Sequence, residues 1–440
     1  MDFNRKFEEL YSNQNLRKAI INATDRAVKK REETIRRIPD FEELREKASL
    51  IKEYSVNNLP DLLEKFKENA SKNGFIIHTA KDAEEAREIV NSILQRRKVK
   101  TVVKGKSMTS EEIGLTSFLH EQGYDVYETD LGEFIIQLAG EPPSHLTGPA
   151  IHKNRFEIAR LLHQKLKIPL TTDPEKLTQE VRKYLRRKFF SAEAGITGAN
   201  FLISDTGGIV LVENEGNIRL TTTLPPLHIA VAGVEKVIPS IKDLSVFLKV
   251  LAPSSTGQRQ TGYVSYIGKS GEKERHIILL DNKRWKMWND PVMKQALKCI
   301  RCGACANVCP VFQIAGGHLY GGAYTGPIGI IWNHFIYGEK VREIPYLSTL
   351  CGACEEVCPV KIPIPSLILE LRKRNYRESL NFQEKLLIKG WRILHTDRLA
   401  GKIANMAFEA GKKIAGRKEV IKNLPFIMKR WTEKRDIYLK

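Results

Sequence analysis

Apolar residues in the first 68 positions recur every three or four places, as in LRKAIINATDRAVKKREETI (16–35) and DLLEKFKENA (61–70). That spacing predicts amphipathic helices, with breaks at Pro39 and Pro60. From Gly74 the period changes. FIIHTA (75–80), VKTVVKG (99–105) and YDVYETD (124–130) read as strands, separated by the helical stretches DAEEAREIVNSILQRR and MTSEEIGLTSFLHEQG. Strands alternating with helices predict βαβ units and a largely parallel sheet. Thr109 followed by Glu112 suggests a capping box at the start of the second of these helices. A helical stretch over 154–188 precedes a strand-rich block: NFLISDTGGIVLVENEGN, LHIAVAG, TGYVSYIG and RHIILLD. Asp205–Gly208 is expected to close a hairpin within it.

These patterns divide the chain into a helical extension (1–68), an α/β domain (69–285), a helical segment holding the cysteines (286–375) and a basic helical tail (376–440). No apolar run reaches the ~18–20 residues that span a bilayer. The start, MDFNRKFEELYSNQNLRK, has no apolar core of a secretory signal. A cytoplasmic protein is expected, at most peripheral to the inner face of a membrane. Net charge is +19, and residues 381–440 hold 15 Lys and Arg against 6 Asp and Glu, about half of that excess. No helix-turn-helix or finger pattern accompanies the charge, so nucleic acid is not expected as a partner. A basic amphipathic tail suits a membrane surface or partner docking better.

All seven cysteines lie between Cys299 and Cys358. An odd number in a single segment argues against a disulfide framework and for metal. Cys299-x2-Cys302-x2-Cys305-x3-Cys309-Pro310 is the bacterial ferredoxin spacing, whose fourth cysteine ligates the other cluster of a pair. A second motif follows at Cys351, Cys354 and Cys358, with Ser348 where a fourth cysteine would stand. The crossover rule assigns Cys299, Cys302, Cys305 and Cys358 to cluster 1, and Cys309, Cys351 and Cys354 to cluster 2. Two iron–sulfur clusters are expected, one [4Fe–4S] and a second [4Fe–4S] or [3Fe–4S] with three Cys ligands. The Ser348 hydroxyl is open to two roles, iron ligation or the commoner local cap.

The α/β domain has no G-x-G-x-x-G after a strand, and Thr101 stands where a P-loop needs glycine, so neither a dinucleotide nor a P-loop nucleotide site is expected. Lys104, Lys106 and Ser107 could form an anion site or a plain capped turn. A denser constellation, Asn200, Glu213, Asn214, Glu215, Asn217 and Arg219 with Thr221–Thr223, sits among short apolar strands and is the candidate ligand site. Glu213 and Glu215 would share one side if that segment is extended. His145 and His152 have no Cys or His company at ligand spacing, so ordinary hydrogen bonding is expected of both. No catalytic residue is assigned.

In order, GKSMTSEEIG, PPSHLTGPAIHKNR, GITGANFLISDTGGIVLVENEGNIRLTTTLP, HIAVAGVEK, KCIRCGACANVCPVF, YTGPIG and LCGACEEVCPVKI resemble the lactate-utilisation iron–sulfur family of LutB type, over nearly the whole chain. The resemblance implies a NagB/RpiA/CoA-transferase-like α/β domain (a LUD domain) followed by an all-α ferredoxin-type domain with two motifs, the second shortened. It implies an electron-transfer component of an L-lactate-oxidising oxidoreductase complex, rather than a complete enzyme alone. Other subunits of that complex, and an acceptor at a membrane surface or linked to quinone or cytochrome, are the implied partners. VENEGN is similar to a Glu-containing segment of CoA transferases, which leaves an alternative: an enzyme binding an organic acid or acyl group at that loop, with the clusters accessory.

Overall fold

The computed structural model describes residues 3–379 and Lys389. Residues through Arg372 make one compact unit, and residues from Lys373 make a second. Most of the basic tail expected over 376–440 lies outside the described residues.

The α/β region is built on six parallel strands: β1 (Ile76–Ala80), β2 (Thr101–Lys104), β3 (Asp125–Glu128), β4 (Ala194–Thr197), β7 (Leu227–Gly233) and β10 (Glu274–Leu280). Their order is β1-β10-β7-β4-β2-β3. The near-continuous apolar run of β7 is explained by its place. It lies between β4 and β10, in register Ile196 to Ile229 and Ile229 to His276, and every residue is buried. Strand alternation feeds two cores. Ile229, Val231, Ile278 and Leu280 face the helix Ala83–Arg96 on one side. Ala230, Ala232, Ile277 and Leu279 face Leu63 and Phe66 of the helix Leu59–Lys72 on the other. At the far edge Val103 packs under the helices Leu131–Ala139, Arg155–Leu166 and Pro174–Ser191.

A smaller sheet holds β5 (Phe201–Ile203), β6 (Gly208–Glu213), β8 (Val237–Ile238) and β9 (Tyr263–Ile267), in the order β8-β5-β6-β9. β5 and β6 form the antiparallel hairpin expected at Asp205–Gly208. Two local expectations are corrected. The first helix after β2 is capped by Ser107, whose hydroxyl accepts from Ser110 N–H, not by Thr109 with Glu112. Glu112 is instead taken by a buried arginine. Between β6 and β7 the run Asn217–Thr223 is a helix. It lies so close on β4 that a Cβ at Gly195 would sit 2.0 Å from the Thr221 carbonyl oxygen. Finally, the extended segment ends at Glu213, so Glu213 and Glu215 do not share a strand face.

The N-terminal helices are more than a cover. Gln14–Ile35 and Phe41–Asn57 pack on the helix Leu244–Thr256 of the α/β region and on the cysteine-bearing segment. That segment is helical throughout its described part, with short turns at the motifs and the apolar helix Gly326–Tyr337 as its spine.

Candidate functional site

The two cysteine motifs fold alike. In the first, Arg301 (φ 62°) and Gly303 (φ 79°) are left-handed and flank Cys302, and the short helix Ala304–Asn307 follows. In the second, Leu350 (φ 57°) and Gly352 (φ 89°) flank Cys351 before the helix Ala353–Glu356. Left-handed backbone is unfavourable at a side-chain-bearing residue and persists where the surroundings impose it. The likeness extends to one hydrogen bond. Arg301 N–H donates to Cys299 Sγ at 3.4 Å, and Leu350 N–H donates to Ser348 Oγ at 3.2 Å. The Ser348 oxygen therefore occupies the place of the first motif's leading sulfur.

Cys299, Cys302, Cys305 and Cys358 line one hollow, closed by Ile300, Ile328, Val360, Ile362 and Ile364. Cys309, Cys351 and Cys354 form a second group, close enough for their charges to interact. Among the described residues no three Cys, His, Asp or Glu side chains are arranged to hold a single metal ion. Burial, then the neighbouring Cys358, pushes the Cys302 thiol far up, and burial raises Cys305 and Cys358 as well. Thiols this enclosed would not ionise unaided, because a buried unpaired charge is costly; a bound cationic cluster is what makes such a ring of sulfurs tenable. The donor set thus fits an iron–sulfur group. In the second group burial pushes Cys354 up to about 12, whereas Cys351 is exposed and its thiol is lowered by the Ala353 amide and the Thr349 hydroxyl.

Cations and clamps surround the first group. Arg45 donates to the Cys358 carbonyl at 2.9 Å, and Arg31 to that of Val357 at 3.4 Å. Lys52, fully enclosed, donates to the Glu235 carbonyl at 2.7 Å, and burial pulls its pKa down to about 7. Beneath the Cys299–Cys302 loop lies a buried ion-pair network. Arg284 holds Glu112 through both guanidinium ends at 2.8 Å and Glu235 at 2.5 Å. Arg301 reaches the other Glu235 oxygen at 3.3 Å and stacks 3.7 Å from the Trp332 ring centre. Tyr324 closes the network on Glu112 at 2.5 Å. Burial opposes ionisation of Glu235, but Arg284 and Arg301 overcome it and hold the carboxyl at about 2.

On the other side of Arg301 the chain lines a half-open cavity of about 300 Å³. It sits at the carboxyl ends of neighbouring strands, where α/β folds place ligands. Lys106 follows β2, Gly198 follows β4, Lys236 follows β7 and Asp130 follows β3, while Ile300, Arg301 and Cys302 form the opposite wall. Asn200, Glu213, Asn214, Glu215 and Asn217 line this cavity, and Arg219 does not. Most of those polar groups hold the loops. Glu213 accepts Ile218 and Arg219 N–H at 2.6 and 2.8 Å, Asn200 accepts Val212 N–H, Asn214 accepts Gly262 N–H, and Asn217 donates to Thr129. Glu215 is left with one 3.4 Å bond from Leu131 N–H, and partial burial and Asp130 push it up to about 7. Of the anion candidates after β2, Lys104 is spent on Glu128 (2.7 Å) and Glu111 (3.1 Å), while the buried Lys106 Nζ has no hydrogen-bond partner. His145 Nδ1 accepts from Thr147 and Gly148 N–H at 3.2 Å, and His152 pairs with Glu141 at 2.7 Å. Lys236, Arg301 and the Glu112–Arg284–Glu235 network escaped the reading of the sequence. A charged pair, Glu235-Lys236, just past an apolar strand was the available signal.

Residues 63–283 match the LUD domain and residues 295–362 a 4Fe-4S dicluster domain, which makes the two cysteine motifs iron–sulfur sites. The chain is 39% identical to an "uncharacterized electron transport protein YkgF" of Escherichia coli, over 84% of this chain and 80% of that one. It is 37% identical to "lactate utilization protein B" of Bacillus subtilis, over 99% of this chain and 93% of its relative. "Lactate utilization protein B 1" of Bacillus mycoides is 38% identical over 99% and 92%. A solved DUF162 family protein from Deinococcus radiodurans aligns with 50% of this chain and 98% of its own at 15% identity and a TM-score of 0.29, which carries no weight for the fold. By these matches the chain belongs to the LUD-domain iron–sulfur family of the lactate utilization B proteins.

Proposed function

We propose that the protein is the iron–sulfur electron-transfer subunit of a multi-subunit system that oxidises L-lactate to pyruvate. The observation that carries the reading is the pairing of a buried thiol group at Cys299, Cys302, Cys305 and Cys358 with a second group whose Cys351 is exposed. Bound clusters supply one-electron chemistry at potentials set by their charge, hydrogen bonds and exposure. The chain's own residues divide the labour. Isoleucines and valines keep water from the first group, Arg31 and Arg45 fix the backbone around its distal cysteine, and the second group, exposed at Cys351, offers an edge to a partner. The names of the relatives support lactate as the substrate of the whole system. The α/β domain is proposed to be NagB/RpiA-like, and the boundaries 1–68, 69–285, 286–375 and 376–440 are proposed as its domains. No helix among the described residues is long and apolar enough to cross a membrane; an acceptor at the membrane surface, linked to quinone or cytochrome, is proposed as the outlet.

Iron and sulfide counts with EPR on anaerobically purified protein test the cluster content. We expect about eight irons per chain, or about seven where the second group holds [3Fe–4S], and about four would overturn the two-cluster reading. The isolated chain should show cluster absorbance with little lactate turnover, and turnover should return when the partner subunits are added. Full turnover by the chain alone would defeat the carrier role.

A further inference from the structure

We propose that the cavity between the strand ends and the Cys299–Cys302 loop is a binding site for a small organic carboxylate. Three cationic residues line it. Lys106 Nζ is buried without a hydrogen-bond partner, and so are Nε and Nη1 of Arg301, a residue only 8% exposed. Lys236, also 8% exposed, lines the same space and makes no ion pair within 4 Å among the described residues. Buried donors without acceptors are rare in native proteins and call for an explanation, an unseen ion or ligand among them. Among the described residues Glu213 is spent on backbone N–H groups and Glu235 already serves Arg284 as well as Arg301; Glu215 and Glu133 lie near enough for their charges to act on Lys106, but neither hydrogen-bonds its Nζ.

The rest of the wall selects the class of anion. Leu146, Leu211, Ile218, Leu251 and Ala252 make an apolar part to the lining, which suits a carbon skeleton and gives nothing to an inorganic ion. Asp130 and Glu215 lie on the same wall, a poor setting for a polyanion. A single carboxylate, with a hydroxyl or carbonyl for the remaining donors, matches three cations set beside Asp130, Glu215, a Glu213 already held by backbone N–H groups, and an aliphatic surface. At about 300 Å³ the space is at the lower end of ordinary ligand pockets. The site is shared between the two domains, since the β2, β4 and β7 loops supply one side and Arg301 with Cys302 the other. A carboxylate held there lies directly against the cysteine loop.

The class of ligand follows from the cavity; only the choice of lactate and pyruvate as probes rests on the proposed function. The test is titration calorimetry of L-lactate, pyruvate and inorganic phosphate into the anaerobic, cluster-loaded full chain. We expect saturable binding of at least one of the two carboxylates near one per chain, with phosphate weaker. Lys106→Gln and Lys236→Met should each weaken it at least about tenfold, the loss expected for one charge-assisted contact. The exposed Lys269→Gln should leave it unchanged. Cluster absorbance per chain checks that each variant is intact. If Lys236→Met loses its clusters, Lys106→Gln, on a half-buried residue of the α/β domain, decides the matter alone. No saturable binding of either carboxylate, binding untouched by the lysine changes, or phosphate binding as tightly overturns the proposal. Binding is read without turnover or electron flow, so this inference and the electron-transfer reading can fail separately.

Discussion

The two cysteine groups are one backbone design in two surroundings. Both use a left-handed residue, Arg301 or Leu350, and a left-handed glycine, Gly303 or Gly352, around a central cysteine. The residue in the left-handed position then separates them. Arg301 turns inward to Glu235 and Trp332. Leu350 carries no charge, and its group opens to solvent at Cys351. The motif therefore fixes the cradle, while the side chains between and behind the cysteines decide how dry and how positive it is. Since burial and local charge tune cluster potentials, the two sites should differ in chemistry although they agree in fold.

The largest test breaks the crossover between them. Cys358 belongs to the second motif in sequence but lines the first hollow. Cys358→Ala should leave about four irons per chain, the four-iron complement of a single cubane. Those that remain should be the exposed ones, stripped readily by a mild oxidant and chelator. Cys351→Ala should also leave about four, but these should resist the same treatment. If the irons surviving in Cys358→Ala are the resistant ones, the assignment of ligands is wrong. Iron counts before and after oxidation decide it.

A smaller effect sharpens what the surroundings of the first group contribute. Arg284→Met leaves Glu112 and Glu235 buried without their shared partner, and losing one member of a buried ion pair costs about 3–5 kcal/mol. Thermal unfolding should show a clear fall in midpoint. In residual folded protein the EPR of the buried cluster should shift before that of the exposed one, because Glu235 also holds Arg301. Adding Glu112→Met, which removes the acid left unpaired while Glu235 keeps Arg301, should recover part of the stability, without restoring the signal. An equal change at both clusters would mean that the network is not specific to the first.

Much of this was legible in the residues. The helical extension, the parallel βαβ series and the hairpin at Asp205–Gly208 follow from apolar period and turn chemistry. The crossover spacing groups the cysteines as the structure places them, Cys358 beside Cys299, Cys302 and Cys305, but the exposure of Cys351 alone was not in the sequence. The misreadings have a shared cause. Thr109 and Glu112 look like a capping box because the pattern is local, but Glu112 answers to Arg284, 172 residues away. Of the cavity's cations Lys106 stood out as part of a possible anion site, but Lys236 and Arg301 were invisible for the same reason. Lys106, Lys236 and Arg301 lie in three separate segments, and only the order β7-β4-β2 brings the first two together beneath the third. The candidate set Asn200, Glu213, Asn214, Glu215 and Asn217 lies on the wall of this cavity, Arg219 does not, and Lys236 and Arg301 were not in the set.

The smallest expected effect concerns the corner where the two motifs differ in a single atom type. Leu350 N–H meets Ser348 Oγ as Arg301 N–H meets Cys299 Sγ, and the turns around both share their left-handed residues. Ser348→Cys should then place a thiol in the position of the leading ligand without rebuilding the loop. The isosteric change should hardly move the unfolding midpoint, since surface substitutions of this kind stay within about 0.5 kcal/mol. Its mark should be on iron retention. The exposed group of the native protein should lose about one iron per chain to a mild oxidant and give a three-iron EPR signal, whereas the Ser348→Cys protein should keep about eight. Ser348→Ala separates the hydroxyl's two roles. An unchanged rate of iron loss leaves the hydroxyl as a cap for Leu350 alone, and a faster loss makes it a ligand. If Ser348→Cys sheds its iron as fast as the native chain, the two motifs are alike in backbone only, and the exposed surroundings rather than the missing sulfur set the lability of the second site.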